Sequence, residues 1–117
     1  GIKEVRGFST GVEVAAANAE ITGVVVTDPD LYGVLVTGAT AATLSNIVVR
    51  RHHLGVGLAL FNSTGVVVNN STFCPVARSS NLTALSSYCL SSKGLTGKGN
   101  KVLLNNGCKG MTTTVCP

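Results

Sequence analysis

Two short clusters in this sequence hold the side chains best suited to acid–base chemistry. Asp28-Pro29-Asp30 contains two of the five acidic residues and is the only close pair of carboxylates. Arg50-Arg51 and the adjoining His52-His53 form a run of basic side chains. In glycoside hydrolysis, paired carboxylates act as acid and base or as acid and nucleophile. Carbohydrate cleavage is therefore the first activity to consider. It would depend on which other side chains the fold places next to these residues.

Neither cluster has the composition of a metal site. Calcium generally takes about six to eight oxygen ligands, and two aspartates supply too few, because no Asp or Glu follows Asp30. Zinc would need cysteine or histidine at ligand spacing, yet no Cys-x-x-Cys occurs and no cysteine lies near His52-His53. We therefore predict no metal and no cofactor, and we interpret the two histidines as part of a turn.

The elements that position these clusters are repeated along the chain. Three branched apolar residues precede a polar pair in each of the segments 23–28, 46–51, 65–70 and 101–106, which recur at unequal spacing. A second series at 11–14, 33–36 and 55–58 is evenly spaced, and 110–115 is a candidate last member. Short Val-rich and Thr-rich segments bounded by Gly, Asn and Ser indicate strands and turns.

A unit of roughly 20 to 25 residues is too short for a strand–helix–strand crossover and has the size of one coil, or rung, of a β-solenoid. We therefore predict one all-β domain over residues 1–117 with about five rungs stacked about 4.8 Å apart. The rungs are assigned to residues 5–17, 21–39, 44–62, 63–93 and 99–116, with an insertion at about 74–84. The alternative is a small antiparallel β-sandwich, which explains short strands but not their recurrent spacing.

The repeated units, together with the pairs Asn69-Asn70 and Asn105-Asn106, resemble the right-handed parallel β-helix of the pectin-lyase-like superfamily. The resemblance implies the fold but little about function, because this fold hosts lyases, hydrolases, epimerases, adhesins and passive scaffolds. Asp28-Pro29-Asp30 does not reproduce the Asn-Thr-Asp, Asp-Asp, Gly-His-Gly and Arg-Ile-Lys set of polygalacturonases. Lyases of the superfamily use a basic proton acceptor, for which Arg50 and Arg51 are candidates.

A structural role explains the acid and the arginine better than catalysis does. Asp28 and Arg51 occupy equivalent positions in successive units, so we predict a cross-strand ion pair worth roughly 0.2–1 kcal/mol. Asn70 and Asn106 would continue the same column. We therefore predict no catalytic residues and no enzymatic activity.

Charge is scarce and unevenly distributed. Charged residues make up 12% of the chain, against roughly 25% in a typical soluble domain, so sugars or neighbouring subunits should cover part of the surface. No acidic residue follows Asp30. A stacked coil would turn this gradient into a mixed N-terminal end and a basic C-terminal end. The candidate polyanion-binding residues are Arg50, Arg51, Lys93, Lys98, Lys101 and Lys109.

Cysteines and glycosylation motifs point to an extracellular compartment. Cys74, Cys89, Cys108 and Cys116 predict two disulfides that staple residues 74–117, and three pairings are open. Asn-x-Ser/Thr motifs make acceptors of Asn62, of either Asn69 or Asn70, and of Asn81. We therefore predict a secreted glycoprotein.

These features lead to two hypotheses of different classes. The first is a non-catalytic β-solenoid of an extracellular fibre, coat or matrix that associates end to end with copies of itself or with neighbouring segments of a longer chain. The alternative is an acidic-polysaccharide-binding or lyase-like fragment. Nucleic acid is disfavoured by the few aromatic residues, and no membrane span is expected. Ice binding would need a flat array of threonines, which Thr27, Thr37 and residues 112–114 do not form in the predicted register.

Overall fold

The computed structural model describes residues 3–6, 10–27, 29, 31–50, 56–74, 85–102 and 105–115. In this part of the chain the regular elements are all strands, and no helix is present that could cross a membrane. In chain order the strands are β1 (Lys3–Arg6), β2 (Thr10–Val14), β3 (Glu20–Thr22), β4 (Val24–Thr27), β5 (Tyr32–Thr37), β6 (Thr43–Ser45), β7 (Val48–Arg50), β8 (Val56–Phe61), β9 (Val67–Asn69), β10 (Thr72–Cys74), β11 (Leu85–Leu90), β12 (Gly97–Val102), β13 (Asn105–Asn106) and β14 (Met111–Val115).

The strands form three parallel sheets. The first has the order β1-β4-β7-β10-β12-β14, the second β13-β11-β8-β5-β2, and the third β3-β6-β9. The chain visits the first, second and third sheets in turn, and it repeats this cycle with β4 to β6 and with β7 to β9. The prediction of an all-β protein is confirmed. The antiparallel sandwich is wrong, because each named strand pairing in the described residues is parallel.

The register confirms the first step of each repeat series. Val25 pairs with Val48, as the alignment of segment 23–28 with segment 46–51 predicts. Val12 pairs with Val34, as the alignment of 11–14 with 33–36 predicts. In both cases the two strands lie side by side in one sheet, so the sequence similarity reports a true structural equivalence.

Later parts of both series are misaligned. The strand in residues 65–70 belongs to the third sheet, where Val67 pairs with Thr43, whereas Val48 of the first sheet pairs with Thr72. In the second series Val34 pairs with Leu58 rather than with Val56. First-sheet and third-sheet strands bury the same alternate apolar positions, so a Val-Val-Val segment does not identify its sheet.

One hydrophobic core is shared by all three sheets. The first sheet contributes a column in which Val26, Val49, Phe73 and Val102 pair in succession. The inward residues of the second and third sheets include Val34, Val36, Leu58, Leu60, Leu44 and Val68. Each is buried because alternate residues of a strand point to opposite faces of its sheet.

Corners between sheets are built from residues with left-handed backbone. Asn46 has φ of 54° and Asn70 of 51°, and both lie where the chain passes from the third sheet to the first. The Asn46 amide donates to the Asn69 carbonyl at 3.1 Å, and the Asn70 amide donates to the Lys98 carbonyl at 2.9 Å. Asparagine tolerates this conformation better than most residues, which explains its recurrence at the corners.

The C-terminal end differs from the predicted last rung. β13 has two residues in the second sheet, and β14 pairs with β12 in the first sheet. The alignment of residues 110–115 with the second series is therefore wrong. The pairing of β12 with β14 also shifts register between Gly97 and Asn100. Met111 and Cys108 are buried near this end, so these two side chains cover part of the core.

Candidate functional site

The residues proposed for acid–base chemistry fall mostly outside the described part of the chain. Asp28, Asp30, Arg51, His52 and His53 all lie there. The strands β4 and β7, which precede Asp28 and Arg51, are described. Thr27 pairs with Arg50, and the Arg50 Nε donates to the Thr27 Oγ1 at 3.2 Å. An ion pair between Asp28 and Arg51, one residue further along, stays a prediction.

The proposed continuation of that column is wrong. Asn70 lies at the corner between β9 of the third sheet and β10 of the first. Asn106 lies in the second sheet, where it pairs with Tyr88. In the first sheet the residue that follows Arg50 across the ladder is Cys74. The error comes from the misaligned third and fourth copies of the repeat.

Three of the described candidates for polyanion binding lie in strands of the first sheet, Arg50 in β7 and Lys98 and Lys101 in β12. Lys101 lies on the first sheet, opposite Thr72. Lys93 forms an isolated bridge with Thr64 beside the third sheet, and the Lys98 amide donates to the Asn69 Oδ1 at 3.1 Å. Arg50 ends β7 in the first sheet, and Arg51 lies outside the described residues. Polyanion binding stays a prediction, because β7 and β12 are not adjacent strands and Lys93 lies beside the third sheet.

The charge gradient of the sequence is a gradient across the sheets. Glu13 and Glu20 are exposed on β2 and β3, the strands that end the second and third sheets on the N-terminal side. Lys98 and Lys101 are exposed on β12, near the opposite end. Lys109 is exposed just before β14. The N-terminal edge strands therefore carry charges of both signs, since β1 contains Lys3, Glu4 and Arg6, whereas the described charged residues near the opposite end are all basic.

The glycosylation motifs differ in how they present the acceptor. Asn62 and Asn70 are both exposed, and both have φ of 51° at a corner. Asn69 is half-buried in β9, and its Oδ1 accepts from the Lys98 amide. Asn70 is therefore the better acceptor of the overlapping pair. Asn81 lies outside the described residues, and glycosylation itself stays a prediction.

The serines inside these motifs have a structural role that the sequence reading missed. Ser63 and Ser71 are buried, and their hydroxyls donate to the carbonyls of Phe61 at 3.0 Å and Asn69 at 2.9 Å. The same two hydroxyls accept bonds from the amides of Ala39 and Ile47. The Asn-Ser pair is thus a corner element of this fold. The buried hydrogen bonds of its serine explain the presence of this pair without glycosylation.

Asn100 is a second buried polar residue that the sequence reading missed. Its side chain is fully buried. The Oδ1 accepts from the Ser71 amide at 3.0 Å, and the Nδ2 donates to the Val68 carbonyl at 2.7 Å. Ile47, Ser71 and Asn100 therefore form a hydrogen-bonded ladder between strands. The change from apolar to polar residues at equivalent positions was hidden by the misaligned register.

Ser87 is buried in the core without such a partner. It pairs with Leu58, which in turn pairs with Val34, and its Oγ has no hydrogen bond to any described residue. We expect Ser87→Ala to raise the free energy of unfolding by about 1 kcal/mol, because it removes an unpaired buried hydroxyl. Thermal unfolding monitored by circular dichroism measures this, and Ser63→Ala, which removes a bonded hydroxyl, should lower stability. A lower melting temperature for both variants would contradict the assignment.

The described cysteines are oxidised. Cys89 and Cys108 form a disulfide with a Cα–Cα distance of 4.9 Å, which rules out the pairings of Cys89 with Cys74 and of Cys108 with Cys116. Cys74 is also disulfide-bonded, and Cys116 lies outside the described residues. A small cavity adjoins the bridge and is lined by Cys89, Ser92, Gly94, Leu95, Gly107 and Lys109.

The threonines in the described part of the chain do not form a regular outward array. Thr27 is buried, and Thr37 lies in the second sheet, whereas Thr112 to Thr114 lie in β14 of the first. On the third sheet Thr43 pairs with Glu20 on one side and with Val67 on the other. The mixture of acidic, apolar and hydroxyl side chains in this column lacks the uniform spacing that an ice-binding face would need.

Comparison with known proteins adds no functional assignment. No protein-family model matches this chain, and no curated protein or solved structure matches it significantly. Within the described residues, no group of three or more His, Cys, Asp or Glu could hold a metal ion. The function must therefore be argued from the sheets, their ends and their outer faces.

Proposed function

We propose that the three sheets are the faces of one right-handed parallel β-helix, of the type found in the pectin-lyase-like superfamily, and that this coil is a structural module. The cyclic strand order and the shared core support a single coil. Corner bonds such as that from the Ala41 amide to the Thr64 carbonyl, at 2.8 Å, link its successive turns. Right-handedness follows from the strong preference of parallel crossover connections for that hand.

The edge strands at the ends of the sheets carry the proposal. At the N-terminal end each sheet ends on a strand with a single partner among the described strands. β1 pairs with β4, β2 with β5, and β3 with β6. Each of these edge strands therefore offers a row of backbone donors and acceptors, which is a template for another strand. At the other end β13 is two residues long and a disulfide ties β11 to the segment before β14. The first sheet nevertheless ends on β14, a strand of five residues that pairs only with β12 among the described strands, so backbone edges are present at both ends.

Charge favours contact between opposite ends of two copies. At the N-terminal end Glu13 and Glu20 are exposed on β2 and β3. Together with Glu4 of β1 they outnumber the two basic residues of that strand, Lys3 and Arg6. Lys98, Lys101 and Lys109 are exposed towards the C-terminal end. Complementary potentials steer association and fix its orientation. A head-to-tail contact of this kind leaves one open end at each end of the assembly, and stacking along the strand order extends it as a filament because such a rotation does not close a ring. A fibre, coat or matrix is the role that suits such growth.

The proposed setting is extracellular. The Cys89–Cys108 disulfide is of the kind that persists in oxidising compartments. Asn62 and Asn70 are exposed at corners, where a glycan would point away from the core and add hydration to a weakly charged surface. N-linked glycans on these two residues are therefore part of the proposal.

A pair of matched double variants tests end-to-end association. Glu13→Gln with Glu20→Gln removes two negative charges from the N-terminal edge. Thr40→Lys with Val48→Lys adds two positive charges between the ends, opposite uncharged cross-strand partners. We expect the first pair to weaken self-association several-fold in light scattering at low salt, because exposed ion pairs are each worth roughly 0.2–1 kcal/mol. The second pair should change it less. Equal effects of the two pairs would contradict the proposal, because net charge alone would then control association.

A further inference from the structure

The outer face of the second sheet carries a cluster of large apolar side chains. Alternation and register place Leu35, Ala59 and Tyr88 in one outward row. Thr37, Phe61 and Leu90 form the next row. Leu90 is 53% exposed and Leu31, just before β5, is 55% exposed. These residues and Tyr32 are called the aromatic face below.

Three rings are in contact on the aromatic face. Phe61 lies edge to face with Tyr32, at a centroid distance of 6.2 Å, and with Tyr88, at 5.8 Å. All three rings are half-buried, while Ala59 beneath them is fully buried. The rings thus shield the sheet backbone and still present part of their surface to solvent. The only described aromatic side chain outside this cluster is Phe73, in the core.

The described parts of the other sheets lack such a face. Outward residues of the third sheet include Glu20 and Asn69, and those of the first include Lys101 and Thr114. On the second sheet the described outward rows contain one charged residue, Glu13, and it lies on the edge strand β2. A polyanion or a nucleic acid would therefore find no cation among these described rows.

The size of the face favours a small or narrow ligand over a second protein. The sheet has five strands, the longest of six residues, which gives a face of roughly 24 by 20 Å, or about 500 Å². A stable protein–protein interface buries roughly 800 Å² on each partner. Aromatic rings that are apolar in the body and polar at the tip suit a ligand with both apolar and hydroxyl surfaces.

We propose that the aromatic face binds a neutral polysaccharide. Sugar rings present C–H groups on their faces and hydroxyls at their rims, so they can pack on Phe61 while bonding to the hydroxyls of Tyr32, Tyr88 and Thr37. An extended chain laid across the strands would meet successive outward residues of the two rows. The site is independent of end-to-end association, because it lies on the side of the sheets and uses none of the edge strands' backbone groups.

Tyrosine fluorescence offers a specific readout of this face. The chain has two tyrosines and no tryptophan, and both tyrosines are on the aromatic face. Titration with cellohexaose and with chitohexaose should change this fluorescence saturably for at least one of them. Polygalacturonate serves as the anionic comparison, and its binding at low salt should leave the tyrosine signal unchanged.

Three variants separate binding from folding. Leu90→Lys, at an exposed position, should weaken oligosaccharide binding at least tenfold, and Thr64→Lys, exposed beside the third sheet, should not. Phe61→Ser should abolish binding, with folding checked by circular dichroism. The proposal would be overturned if neither oligosaccharide changed the fluorescence and the protein were retained on neither cellulose nor chitin. Equal weakening by both lysine variants would overturn it too. So would a tyrosine signal that changes on dilution of the protein alone, since a second copy would then cover the face.

Discussion

Replacing Gly33 with valine should destabilise the protein by about 3 kcal/mol or more, the upper range for overpacking a core. Gly33 is buried in β5. A Cβ atom at this position would meet the Val49 side chain and would lie 2.6 Å from the Gly57 carbonyl oxygen. The carbonyl belongs to the neighbouring strand β8 and cannot move without breaking its ladder. The added side chain must therefore push two strands or two sheets apart.

Denaturant unfolding measures this effect, and the chain offers a matched control. Gly38 has φ of 59°, and a Cβ there meets no atom within 4 Å. Because the equivalent corner residue Asn62 has φ of 51°, Gly38→Asn should change the free energy of unfolding by less than about 1 kcal/mol. Both variants should be made in bacteria, because the control creates an Asn-Ala-Thr motif. If Gly33→Val were as stable as the wild type, the close approach of Gly33 to Gly57 of β8 and to Val49 of the first sheet would be wrong.

Replacing Asn100 with leucine should cost roughly 2–6 kcal/mol, because two buried backbone groups lose their partners at about 1–3 kcal/mol each. The groups are the Ser71 amide and the Val68 carbonyl. Leucine has the same branched shape as asparagine and leaves no cavity, so the loss would reflect hydrogen bonding. Urea unfolding of Asn100→Leu checks this prediction.

Asn46→Gly is the control for the asparagine substitution. Asn46 is exposed, and its φ of 54° suits glycine, so this variant should lie within about 1 kcal/mol of the wild type. Equal destabilisation by the two variants would mean that Asn100 acts as a generic turn residue and not as a buried hydrogen-bonding group.

The sequence predicted strands and turns well because branched residues and Gly, Asn and Ser alternate clearly along the chain. It also predicted the pairing of Val25 with Val48 correctly, since the two similar segments there do belong to one sheet. It failed at residues 65–70, where a third-sheet strand copies the pattern of a first-sheet strand. The apolar–polar pattern indicates which residues are buried, but it does not show where a corner gains or loses residues.

The chemically informative residues were harder to predict for related reasons. Ser71 and Asn100 occupy positions equivalent to the apolar Ile47. This change of residue type along the column can be recognised only after the strand register is known. The aromatic face was missed because its three rings are far apart in sequence and meet only across neighbouring strands. Cysteine counting predicted oxidation but left the pairing of Cys89 with Cys108 open, because connectivity depends on the fold.

Sedimentation velocity over a wide range of protein concentration tests the central claim of end-to-end association most directly. The proposed head-to-tail contact predicts a continuous series of larger species that grows with concentration and shrinks as salt screens the charged ends. A single monomeric species at every concentration would contradict the claim. A single closed dimer would contradict it as well, because a contact between opposite ends leaves an open end on each copy.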